Sequence, residues 1–470
     1  MRTIVTASVI AIAASSLLAA RPARACGGCF HSPAPKQVTV VTGHRMAFSI
    51  SPTQSVLWDQ IEYSGSPQDF AWVLPVRTGA KIELSHDEFF AALDATTDPV
   101  ITGPAPNCGN GGGGSGFGCG SSASAGGGSA SGFSPGTNGG NNGVQVLSQG
   151  VVGPYDQVTL HSTNPNALYD WLVVNKYDVP SQVRPIVDAY VGAGFDFIAL
   201  RLAPGQGVQA MQPVRVVTPG AGLSLPLRMV AAGVGANVGI TLYVISDGRY
   251  QAQNFPNGVV DDSKLVWLHA QSESNYEPLA EQIMQGGGGR TWLTEYAQNV
   301  SLSGSADAVA ASNNYSCGST SGGAGVSTNG GGSLADLYFA QCLCLGASGP
   351  QLDASSDGGV DNAPCEAFDD LSVAAVGLDP ASTWVSRMRA ILPASALSEG
   401  DLVIEAAPSQ SPVSSNHTAS HYDDPTYDPC PNGSGGCNAT DEAPPLSGRA
   451  LVVGAFALLG IAIAKRRRAA

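Results

Sequence analysis

Val56-Leu-Trp-Asp-Gln-Ile-Glu-Tyr63 is a short run rich in β-branched and aromatic residues, with Ser51-Pro52 before it and Gly65 after it. A bounded run of that composition reads as a strand. Runs of the same kind flank it: Val38-Thr-Val-Val41 and Met46-Ala-Phe-Ser-Ile50 before, Phe70-Ala-Trp-Val-Leu74 after. The series continues at 195–202, 214–217, 240–245 and 265–268, and Leu402-Val-Ile-Glu405 closes it. Helix signals are fewer. Ser85 followed by Glu88 forms a capping box before Phe89-Phe-Ala-Ala-Leu93, and Asn164-Pro165 supplies a cap and a first-turn proline. A third helix is expected over 182–191, stopped at Gly192 or Gly194, and a fourth from Tyr276-Glu277-Pro278 to Met284. The expected class is therefore α+β: a mainly antiparallel β-sheet or sandwich, a few peripheral helices, and long disordered Gly/Ser-rich inserts.

The inserts are visible in the composition. No charged residue occurs between Asp98 and Asp156, and about 108–143 is almost wholly Gly, Ser, Ala and Asn. Such a stretch has too little apolar surface to offset its ordering entropy. Shorter inserts of this kind are expected at 312–333 and 353–361, and 408–445 reads as a Pro/Ser/Asp-rich stalk. The rest, within 26–407, is enough for one large β-rich domain. Lys and Arg total 22 against 37 Asp and Glu, for a net charge of −15. The first 25 residues hold three arginines and no acid, and the last six hold Lys465 and Arg466–Arg468, so the body between is more acidic still. An acidic body repels phosphate backbones, which excludes nucleic acid as a partner.

The two ends read as addresses. Residues 1–25 combine Arg2, an apolar run and Ala23-Arg24-Ala25, the layout of a secretory signal cleaved between Ala25 and Cys26. The implied partners are the export machinery and signal peptidase. A lipoprotein signal is also open at Cys26, although Arg24 counts against it. At 446–470, fifteen apolar residues from Ala450 to Ala464 precede Lys465-Arg-Arg-Arg468. As a helix they span about 22 Å, short of the roughly 30 Å hydrocarbon core, which suits a transient transmembrane helix with its basic end inside. Gly435-Gly436-Cys437, a polar spacer, the apolar run and the Arg-rich end together resemble the myxobacterial sorting tail MYXO-CTERM. That resemblance implies a sorting protease as partner, membrane anchoring, and Cys437 as the processed or lipid-carrying residue. The expected location is the outer membrane or cell surface, with the periplasm as the alternative.

A second resemblance covers the body. Ala25-Cys-Gly-Gly-Cys-Phe30, the strand at 54–63, Gly65 and Asp69-Phe-Ala-Trp-Val-Leu-Pro-Val76 resemble the opening of the secreted bacterial family called domain of unknown function 2330. Phe89, Leu93, Thr97, Pro99, Trp171-Leu172, Tyr190-Val191, Gln212-Pro213, Pro226-Leu-Arg228, Thr294-Glu-Tyr296, Val385, Arg387 and Arg389 continue the likeness to about residue 405. It implies no catalytic residue and no ligand.

Ten cysteines in an exported chain imply disulfides. Proximity pairs Cys26 with Cys29 and Cys108 with Cys119, and places two bridges among Cys317, Cys342, Cys344 and Cys365. Cys430 is left free if the tail consumes Cys437, unless another cysteine is modified or pairing is incomplete.

No motif for chemistry stands in its required setting. Gly132-Phe-Ser134-Pro-Gly136 matches a serine-hydrolase string but has no strand before it, and Gly233-Val-Gly235 reads as a hairpin turn before Ile240–Ile245. His417 and His421 fall in the stalk, and Asp353, Asp357 and Asp361 have the wrong spacing for an EF-hand. Trp58, Trp72, Trp171, Trp267, Trp292 and Trp384 lie in strand or helix patterns and read as core. No catalytic set, metal set or cofactor is expected, and the leading reading is a non-enzymatic binding or structural module. Two alternatives remain: a hydrolase whose Asp69, His86, Glu88, His161 and Asp196 converge in space, or a Ca²⁺-dependent adhesin.

Overall fold

The computed structural model describes residues 29–30, 40–64, 71–105, 143–175, 184–203, 211–231, 237–300, 302, 315–320, 323–328, 334, 369–427 and 429. The chain divides into two units, 1–104 with 119–423 and 105–118 with 424–470, and the first holds both main sheets.

The larger sheet has eight strands in the order Asn257–Gly258, Trp292–Asn299, Trp384–Pro393, Asn237–Ser246, Val40–Ile50, Gln54–Ser64, Val214–Pro219 and Lys81–Leu84. The smaller has five: Cys29–Phe30, Ala71–Val76, Asp196–Leu202, Tyr155–Ser162 and Val144–Val152. The smaller sheet is antiparallel throughout. In the larger, Asn237–Ser246 runs parallel to Val40–Ile50, as does Asn257–Gly258 to Trp292–Asn299. The class is α+β with mainly antiparallel sheets.

Burial explains the layering. One face of the larger sheet sets Ala47, Val56, Trp58 and Tyr243 against Phe89, Phe90 and Leu93 of helix Asp87–Thr97 and Leu371 of helix Asp369–Ala375. Its other face carries Met46, Phe48, Leu242 and Met388 onto Leu225, Leu397, Leu402 and Ile404. In the smaller sheet, Leu160, Phe197 and Ala199 lie beneath Leu168 and Leu172 of helix Pro165–Val174 and Tyr190 of helix Arg184–Gly192. Its opposite face, through Trp72, Leu74, Ile198 and Leu200, packs on Val214 and Val216 of the larger sheet. Asp196–Leu202 is thus covered on both faces, so its sequence is almost continuously apolar instead of alternating.

The Asn164 side chain accepts from the amides of Asn166 and Ala167, as a cap should, and Gly194 takes the positive φ of 74° that ends the next helix. The expected capping box does not form. His86, in extended conformation, precedes the helix without a side-chain cap, because the Ser85 hydroxyl donates instead to Asp370 Oδ2 at 3.0 Å. The runs at 38–41 and 46–50 belong to one bulged strand, Val40–Ile50. Asn237–Ser246 pairs with Val40–Ile50 and Trp384–Pro393; Gly233 and Gly235, read as a turn before it, lie outside the described residues.

Leu402–Ala406 does not close the fold. Val413 pairs with Ala297, Asn416–Thr418 runs beside Val100–Thr102, and His421–Tyr422 pairs with Val266–Leu268. The segment from 408 to 423 is therefore folded and not stalk. Its Val413, Ser415, His417 and Ala419 are buried while the residues between them are exposed, a period of two written in small and polar side chains. Within the insert at 312–333, Tyr315–Thr320 and Gly323–Thr328 form an antiparallel hairpin. The inserts at about 108–142 and 353–361, the signal segment and the sorting tail lie outside the described residues. Among the described residues no helix is long and apolar enough to cross a membrane.

Candidate functional site

Where the two sheets diverge, the edge strand Lys81–Leu84 of the larger faces Val144–Val152 and Tyr155–Ser162 of the smaller across a cleft of about 470 Å³. Lys81, Glu83, Ser148, Gln157, Thr159 and Asp196 supply its polar groups. Strand alternation sends Gln157, Thr159 and His161 to the same face. His161 Nδ1 lies 2.6 Å from Asp196 Oδ1; the carboxylate is buried, whereas the imidazole side chain is 36% exposed. A carboxylate on Nδ1 selects the tautomer that leaves the Nε2 lone pair free. Beside this pair, Ser148 Oγ donates to Thr159 Oγ1 at 2.9 Å, and Gln157 Nε2 donates to Thr159 Oγ1 at 2.6 Å. At the strand turn, Gly153 has φ of +54°, and a Cβ there would fall 2.4 Å from Leu84 Cδ1. Only glycine lets the two walls approach at that end.

Other polar clusters are buried inside the fold. Asp370, wholly inaccessible, accepts from Trp58 Nε1 at 2.7 Å and from Arg215 Nη1 at 2.9 Å. Glu295, 1% exposed, receives Arg387 Nε at 3.0 Å, Arg389 Nη2 at 2.9 Å and the Tyr276 hydroxyl at 3.2 Å. Arg387 also meets Asp94 and Asp98, and Tyr243 donates to Asp94. Burial raises the Tyr243 hydroxyl well above its ordinary pKa, so it acts as a neutral donor. These networks satisfy charge within the core.

Five of the six described histidines follow one rule. His44 faces Asp59, His86 faces Asp370, His161 faces Asp196, His269 faces Asp423 and His417 faces Asp262. Of the five residues whose convergence would signal a hydrolase, His161 and Asp196 meet at the cleft. His86 instead stands at Asp370, Glu88 stays on the helix beside it, and Asp69 lies outside the described residues. His417 and His421 lie on separate short strands with separate partners, Asp262 and Ser420, and share no face. Trp58, Trp72 and Trp292 are buried core residues, whereas Trp171, Trp267 and Trp384 are half-buried. Cys26, Cys108, Cys119, Cys342, Cys344, Cys365, Cys430 and Cys437, with Ala25 and Ser134, lie outside the described residues; Cys29 and Cys317 are placed in strands by their backbone alone. Among the described residues no group of three or more His, Cys, Asp or Glu is arranged to hold a metal ion.

Sequence reasoning passed over the His44–Asp59 pair, both members of which are buried between the sheets. The only sequence signal was a histidine and an aspartate inside strand patterns, which nothing local distinguishes from a solvated face.

Residues 22–311 match the model of a family described as an uncharacterized protein conserved in bacteria (DUF2330). The chain belongs to this family. No curated protein and no solved structure matches it. The matched region contains the whole cleft, with Lys81, Glu83, Ser148, Gln157, Thr159 and Asp196, and the His161 that contacts Asp196. It stops short of Trp384–Pro393, which lies between Asn237–Ser246 and Trp292–Asn299 in the larger sheet, so the folded unit extends beyond the match.

Proposed function

We propose that this member of the family is an exported, surface-anchored protein of the bacterial envelope whose folded body is a binding module, with the cleft beside His161 and Asp196 as its ligand site. The observation that carries the reading is the pairing of each of five histidines with its own aspartate in a different part of the molecule. That arrangement uses the acids and bases as local ties and spreads them over the folded body. The cleft, by contrast, offers an open array of hydroxyl and amide groups on rigid strands, which suits recognition of a polar ligand. The signal-like start, the sorting-like tail and the ten cysteines support the envelope location.

Mass spectrometry of the protein recovered from membranes tests the location: the expected chain begins at Cys26 and ends at or near Cys437, with any lipid on that residue. Recovery only from the cytosol, with both ends intact, would overturn it. The binding reading is tested with a panel of ester, peptide and glycoside substrates. No turnover is expected, and turnover abolished by His161→Gln would establish the hydrolase instead.

A further inference from the structure

The second histidine pair poses a different problem. His44 and Asp59 are 3% and 4% exposed, and His44 Nδ1 lies 3.1 Å from Asp59 Oδ1. Its other nitrogen, Nε2, is buried and has no hydrogen-bond partner among the described residues. An unsatisfied buried polar atom costs about 1–3 kcal/mol, so the position calls for a partner. His44 lines a small cavity of about 20 Å³ among mostly buried residues, room for one water-sized body. A buried water needs two to four polar partners, and among the wall side chains only this histidine and the aspartate already facing its Nδ1 are ionisable groups or ordinary hydrogen-bond acceptors.

The remaining walls are soft and apolar. Met46 and Met229, two of the six methionines in the sequence, border the same cavity with Trp72 and several leucines. His44 and Met46 are two residues apart on strand Val40–Ile50 and share its inner face, while Met229 comes from the short helix Leu227–Val230. A methionine alone would be a flexible gap-filler. Two thioether residues and an imidazole nitrogen without a hydrogen-bond partner, all lining one cavity, supply the donor types for a soft cation. The carboxylate on Nδ1 fixes the tautomer that metal-bound histidines use. Thioether sulfur selects soft monovalent copper, whereas zinc, calcium and magnesium call for several thiolate, imidazole or oxygen ligands, of which these walls hold one imidazole and one carboxylate.

We propose that this cavity is a copper(I) site, with His44 Nε2, Met46 Sδ and Met229 Sδ as ligands and Asp59 as the positioning residue. Asp59 also supplies the negative charge that a buried monovalent cation requires, and the Trp72 ring adds an electron-rich wall. Binding involves no change of oxidation state. The site is independent of the cleft reading.

The test uses the mature protein with its free thiols alkylated, so that the cysteines provide no thiolate. It is titrated anaerobically with Cu(I), added as the acetonitrile complex, against a chromogenic Cu(I) chelator. One equivalent should bind, with an X-ray absorption spectrum of one nitrogen and two sulfurs. Met46→Leu and Met229→Leu conserve core volume and keep the fold by circular dichroism. Each should weaken binding about tenfold or more, and Asp59→Asn about 10–100-fold with an altered pH dependence of binding. No Cu(I) retained by the alkylated protein would overturn the assignment. So would affinity unchanged in the folded Met46→Leu/Met229→Leu double variant.

Discussion

Asp370 shows how one side chain can fasten a returning segment to the sheet. Its carboxylate is fully buried, and it joins helix Asp369–Ala375 to Trp58 on Gln54–Ser64 and Arg215 on Val214–Pro219. Burial by itself pushes the carboxyl up, but hydrogen bonds from His86 and Trp58, together with the Arg215 charge, hold it below the usual carboxylate range. A carboxyl whose folded pKa is depressed stabilises the fold above its unfolded value, about 3.9, and that stability is lost as pH falls through the lower folded value. Asp370→Asn should therefore cost about 3 kcal/mol at neutral pH, because it removes the fully buried carboxylate from the Arg215 charge and leaves it the more exposed Glu83 at 2.8 Å. Urea unfolding at pH 7 and at pH 3 checks this, since the gap between variant and parent should narrow at the acid end. An equal gap at both pH values would assign the loss to packing. A cap gives a smaller and separate effect. Asn164→Ala removes the acceptor for two first-turn amides of helix Pro165–Val174 and should lower stability by about 1 kcal/mol in the same assay.

At the scale of elements, Gln54–Ser64, Asp196–Leu202 and Asn237–Ser246 were legible because β-branched and aromatic residues dominate them. Trp384–Pro393 was not, because Ser386, Arg387 and Arg389 interrupt its apolar residues. Those arginines are tolerated inside the sheet only because Glu295, on the neighbouring strand, and Glu277 and Asp94, on helices, receive them. That condition is tertiary and leaves no local trace. Val144–Val152 and Tyr155–Ser162 escaped for a related reason: Gln145, Ser148, Gln149, Gln157 and Thr159 dilute the strand signal, yet Ser148, Gln157 and Thr159 build the cleft. His161 and Asp196 were each recognisable as candidates, but their meeting depends on the pairing of Tyr155–Ser162 with Asp196–Leu202, 35 positions apart in sequence. The same pairing logic predicts that a chain ending at 311, the limit of the family match, does not fold. Without Trp384–Pro393, the strands Asn237–Ser246 and Trp292–Asn299 lose their shared neighbour and their buried face partners Met388 and Leu392. Such a fragment should show no cooperative thermal transition by circular dichroism; a sharp transition would show that the sheet closes without its middle strand.

Across the whole molecule, the decisive question is where the folded body ends. Composition places the end at 407, since the residues beyond it are rich in Pro, Ser and Asp. Contacts place it at 423. Val413 exchanges backbone hydrogen bonds with Ala297, the Ala419 amide donates to Thr102, and His417 reaches Asp262 at 2.7 Å. The segment thus ties the larger sheet to the small cluster of Leu265, Tyr276, Ala280 and Leu293, whose surface Ala419 completes. Burial of Val413 and Ala419, with the His417 contact, should be worth about 2–4 kcal/mol. A chain ending at 407 should therefore unfold at lower urea than one ending at 427. The slope of its unfolding curve should be shallower, because less surface is exposed in the transition. His417→Ala in the longer chain should reproduce only part of the loss, since the strand pairings of 413–423 use the backbone and survive it. If the two chain lengths unfold at the same urea concentration, these residues rest on the body without stabilising it.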